Sequence, residues 1–64
     1  MKRLVSTVGE CKLYAKTATN GLTEWLMYSP FTGSHSIITE GYNERVVNHW
    51  NGFVDNQPEE KFIN

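Results

Sequence analysis

The 64-residue chain predicts an α+β domain: an antiparallel sheet of three or four strands with one C-terminal amphipathic helix packed on it. Three observations carry that expectation. Asn20-Gly21 lies between two segments of alternating polarity, His35 to Thr39 is a short β-branched run, and Tyr42 to Val54 repeats its apolar residues at a helical period.

Asn-Gly suits a two-residue type I′ hairpin turn, in which both central residues need positive φ. Such a turn sets Thr19 against Leu22, Lys16 against Trp25, Ala15 against Leu26, Tyr14 against Met27 and Leu13 against Tyr28. Strand alternation then sorts the side chains onto two faces. Cys11, Leu13, Ala15, Leu26 and Tyr28 form the expected core face. Lys12, Tyr14, Lys16, Trp25 and Met27, with Thr23, form a mixed basic and aromatic face.

Pro30 cannot donate to a ladder, and Gly33 with its small polar neighbours marks "SPFTGSHS" as a turn. A further strand is expected over His35 to Thr39. An N-terminal strand is read over residues 3–8, "RLVSTV", although Gly9 follows it at once.

At about 100° per residue, Tyr42, Val46, Val47, Trp50, Phe53 and Val54 fall within an arc of roughly 140°. This is the signature of a helix with one buried side. Thr39 is read as its N-cap, Glu40 as a first-turn carboxylate, and Asn56 with Pro58 as its end. One domain is expected over 1–64, with residues 57–64 as a mobile tail in which Phe62 and Ile63 could pin the terminus.

A chain this short lies near the lower limit for folding without disulfide or metal, which disfavours a deep substrate cavity. The single cysteine, Cys11, has no internal disulfide partner and is read as a half-buried strand residue; His35 and His49 lack zinc spacing. No metal or cofactor is expected. The apolar run after Lys2 and Arg3 is too short for a signal peptide or a membrane span, so a cytoplasmic location is expected.

Net charge is −1, with +3 from Lys2, Arg3, Lys12 and Lys16 against Glu10 in residues 1–16 and −4 in the remainder. Nucleic-acid binders usually carry a stronger basic excess, which disfavours that class. Catalysis is disfavoured as well. Glu44 and His49 diverge by roughly 140° around a helix and cannot orient one another. "NHWN" faintly echoes metal-dependent nucleases, a reading that needs His35 and His49 to converge on an acidic group. "TGSHS" lacks the lysine and glycine spacing of a phosphate loop and reads as a hairpin connection.

Surface recognition remains. The expectation is a small non-enzymatic protein that binds and modulates, or inhibits, a larger protein partner, of the short-reading-frame kind common in phages and mobile elements. Its contact residues are expected to be Lys12, Tyr14, Lys16, Trp25 and Met27 on the sheet, because one helix can cover only one sheet face, together with the outward helix strip Glu44, Asn48, Asn51 and Asp55. A homodimer could also close an apolar sheet face. The second expectation is a nucleic-acid module using Lys2, Arg3, Lys12, Lys16, Trp25 and Arg45.

Overall fold

A computed structural model describes residues 1–57. The chain runs β1 (Arg3–Val8), β2 (Cys11–Thr17), β3 (Thr23–Ser29), β4 (Gly33–Thr39) and α1 (Glu44–Asp55). The strands form one antiparallel meander in the order β1-β2-β3-β4. The helix packs over β3 and β4 on one side of this sheet, giving the expected two-layer α+β arrangement.

The N-terminal strand occupies residues 3–8, and the glycine that follows it is the pivot of a hairpin. Val8 pairs with Cys11 across a two-residue loop, and Gly9 takes φ +60° as the first loop residue, a backbone that glycine adopts without steric cost. The Asn20-Gly21 turn is longer than the type I′ expectation. Ala18 N–H donates to the Leu22 carbonyl at 2.7 Å and Gly21 N–H to the Ala18 carbonyl at 3.0 Å, so the loop is Thr19-Asn20-Gly21. Only Gly21 takes positive φ, at +86°, while the Asn20 side chain accepts from Leu22 N–H at 3.1 Å. This is the three-residue alternative, a turn closed by a residue in the left-handed region.

One extra loop residue moves the register by one and turns every β3 side chain over. Leu13 pairs with Met27, Ala15 with Trp25, Tyr14 with Leu26 and Lys12 with Tyr28. Trp25 and Met27, expected on the mixed face, therefore join Cys11, Leu13 and Ala15 in the core, while Leu26 and Tyr28 leave it. Trp25 is 4% exposed and Met27 fully buried.

Val46, Trp50 and Phe53 of α1 close this core, with Ile37 and Val54 packed at its margin. The helix begins later than Thr39. Asn43 is the N-cap, its side chain accepting from Val46 N–H at 3.2 Å, and Glu44 supplies the first-turn carboxylate. Thr39 instead ends β4, where its buried hydroxyl accepts from Trp25 Nε1 at 3.2 Å and donates to the Gly41 carbonyl at 2.6 Å. Tyr42 precedes the helix, its ring meeting Trp25 edge-on at 5.6 Å. Asn56 caps the other end, as its position in the sequence indicates.

Gln57 is no part of a mobile tail. It is buried, accepts from the Ser29 hydroxyl, and donates to the Phe53 carbonyl at 2.8 Å and to Thr32 Oγ1 at 2.9 Å, tying the helix end to the β3–β4 connection. The remaining tail residues, Phe62 and Ile63 among them, and Pro58 lie outside the described residues.

Candidate functional site

With the helix on one side, the other side of the sheet has no covering layer among the described residues. Cross-strand pairs place Leu4, Tyr14, Leu26 and Ser36 in one row across it, Thr7, Lys12, Tyr28 and Ser34 in a second, and Lys16, Glu24 and Ile38 in a third. Leu4, Tyr28 and Ile38 are 55, 37 and 46% exposed. An aromatic and aliphatic surface therefore remains in water, at a size where every buried apolar group matters to stability.

Tyr14 and Tyr28 pack edge to face at a centroid distance of 5.4 Å, a favoured aromatic geometry. The Lys2 ammonium sits 4.8 Å from the Tyr14 ring and 5.1 Å from that of Tyr28. That geometry supports cation–π attraction and fixes a positive charge above the ring pair. Lys16 and Glu24 approach to 3.8 Å with both side chains partly solvated, so the pair adds little stability. Lys12 is exposed at the centre of the second row.

Of the sheet residues expected to make contacts, Lys12, Tyr14 and Lys16 share this open face. Trp25 and Met27 do not: the register shift buries them under the helix. Their places are taken by Leu26 and Tyr28, with Leu4 and Ile38 contributed by the flanking strands. The signal that could have found Leu26 and Tyr28 was the alternative three-residue loop, which keeps the glycine but moves the register.

The expected nucleic-acid set also divides. Lys2, Lys12 and Lys16 gather on the open face, Arg3 is exposed opposite Ala15 on the helix side, Arg45 is exposed on α1, and Trp25 is in the core. On the helix, Glu44, Asn48, Asn51 and Asp55 are all exposed.

His35 and His49 do come together. Their ring centroids lie 6.2 Å apart, with His35 also 5.1 Å from Phe53, beside a groove of about 290 Å³ lined by both histidines, Asn48, Gly52, Phe53 and Asn56. The convergence lacks the acidic group that a metal-dependent nuclease reading requires: no third His, Cys, Asp or Glu completes a metal-holding group among the described residues. Gly52 borders this groove, and a Cβ there would meet nothing within 4 Å.

Cys11 is buried against the core beside Ser29. Burial pushes its thiol pKa up, the Ser29 hydrogen bond opposes the rise, and the charge of Glu10 adds to it. It is a packed small hydrophobe rather than an activated nucleophile. No helix among the described residues is long and apolar enough to cross a membrane.

The described residues define a two-layer α+β domain in which no element among them covers the second sheet face. No protein-family model, curated protein or solved structure matches the chain.

Proposed function

We propose that this protein is a non-enzymatic cytosolic interaction module that binds and modulates a larger protein through the open face of its sheet. The observation that carries the reading is the sheet face of Leu4, Tyr14, Leu26, Tyr28 and Ile38, with Lys2, Lys12 and Lys16 among them, which no element covers among the described residues. Tyrosines recur at binding hot spots because a rigid ring buries much area at small entropic cost. Lysines around an apolar centre favour a partner whose own apolar patch is bordered by carboxylates.

The test is affinity capture from native lysate with mass spectrometry, using wild type, Tyr28→Asp, Ile38→Asp and an outward-helix variant, Asn51→Asp. The reading expects one partner to be retained by wild type and Asn51→Asp and lost by both sheet variants while their circular dichroism stays native. Loss with Asn51→Asp alone would move the interface to the helix and overturn it.

A second reading, single-stranded nucleic acid, is favoured by one feature: the Tyr14–Tyr28 ring pair beneath the Lys2 ammonium. It predicts that labelled oligonucleotides gain anisotropy with the protein at low salt and lose it steeply as salt rises. Buried Trp25 is a poor reporter for that experiment.

A further inference from the structure

The two edges of the sheet are built differently. On β1, the register slips between Leu4 and Ser6, leaving Val5 as an unpaired extra residue, and Arg3 opens the strand just after Lys2. Bulges and edge charges are the usual devices that prevent strand addition. On β4, none of them is present. Its seven residues, GSHSIIT, contain no charge and no proline, and all seven pair with β3 without a register shift. Among the described residues no further strand pairs with the outer backbone groups of β4.

We propose that β4 is a docking edge for a second copy of this chain, the two β4 strands pairing antiparallel about a two-fold axis at Ser36. Only the register that sets Ser36 against itself overlaps the whole strand. It also pairs residues of equal parity, which keeps helix-side residues on the helix side. The resulting pairs are complementary in size: Ser34 lies opposite the second copy's Ile38, His35 opposite its Ile37, and Gly33 opposite its Thr39. No like charges meet.

A second copy is the occupant this strand suits because the pairing closes. It uses the undefended edge of both chains and leaves only two blunted β1 edges, so assembly stops at two rather than continuing as a fibre. The product is one eight-stranded sheet, twice the four strands of each chain, with both helices on one side and both open faces on the other. This inference is independent of the partner-binding reading, although it would present the open surface twice.

Sedimentation equilibrium from low micromolar to millimolar protein tests it. Wild type is expected to show a reversible monomer–dimer equilibrium. Ser36 is exposed on the open side, so Ser36→Lys should fold normally and, by placing like charges opposite at the axis, weaken self-association about fivefold. Ser36→Asp should do the same, and an equimolar mixture of the two variants should recover or exceed wild-type association. A wild type that stays monomeric throughout overturns the proposal. So does a dimer that survives both substitutions unchanged, and one lost on Tyr28→Asp but kept by Ser36→Lys would place the second copy on the open face instead.

Discussion

Trp25 sits directly across from Ala15 in the β2–β3 ladder, and its indole N–H donates to the Thr39 hydroxyl two strands away from Ala15. That pairing puts the indole under the helix and leaves Tyr28 on the opposite surface. The two aromatic residues of β3 should therefore respond in opposite ways to truncation.

Trp25→Ala should cost about 3–5 kcal/mol, comparable with all the stability a core of this size usually supplies. The variant is expected to lose its cooperative urea transition. Tyr28→Ala should cost under about 1 kcal/mol and keep that transition. The reverse ranking would restore the two-residue turn and its register.

Gly52 lies inside α1 with open space where a Cβ would go. Replacing it by alanine should stabilise the helix by up to about 1 kcal/mol, visible as a rise of about 4–8 °C in Tm. A fall in Tm would mean that the groove beside His35 and His49 closes more tightly than its geometry implies.

Gln57 holds three segments at once through Ser29, Thr32 and the Phe53 carbonyl. Gln57→Ala removes the donor to the buried Phe53 carbonyl and the acceptor of the Ser29 hydroxyl and should cost about 1–3 kcal/mol in urea denaturation. Gln57→Glu sets a buried carboxylate oxygen against the Phe53 carbonyl in place of the amide donor, so at neutral pH it should destabilise at least as much as the alanine variant.

Cys11 carries a thiol whose pKa burial raises. The unfolded chain then releases this proton more readily than the folded one, so the thiol's contribution is intact below the ordinary thiol pKa. It declines as pH rises through that value toward the folded one. Urea midpoints should drop over this alkaline window in wild type and drop less in Cys11→Ala. Alkylation of the native protein should be slow and should accelerate on unfolding; fast native labelling would contradict the burial.

Much of the architecture was legible because it rests on local signals. Residues 3–8 form the expected N-terminal strand, His35 to Thr39 is β-branched, and the Val46/Trp50/Phe53 spacing can bury only as a helix. Helix capping was misread because Thr39 and Asn43 both have capping side chains; Asn43 takes the role, while Thr39 is held in β4 by Trp25 and Gly41. Gln57 looked like tail because nothing near it in sequence announces contacts 25 and 28 residues away.

The candidate site was legible in part. Lys12, Tyr14 and Lys16 alternate on β2, so they share a face in any register. Which β3 residues join them depends on the loop, and Trp25 with Met27 gave way to Leu26 with Tyr28.

By itself the sequence determined the element types, their order and the division of each strand into two alternating sets, because those follow from side-chain period and backbone sterics within a few residues. Only the tertiary structure decided which sets face the helix. Thr19-Asn20-Gly21 forms a three-residue loop, and the helix then selects the register that buries Trp25 and Met27 with Leu13. A strand has period two, so one residue in a turn exchanges core for surface along its whole length.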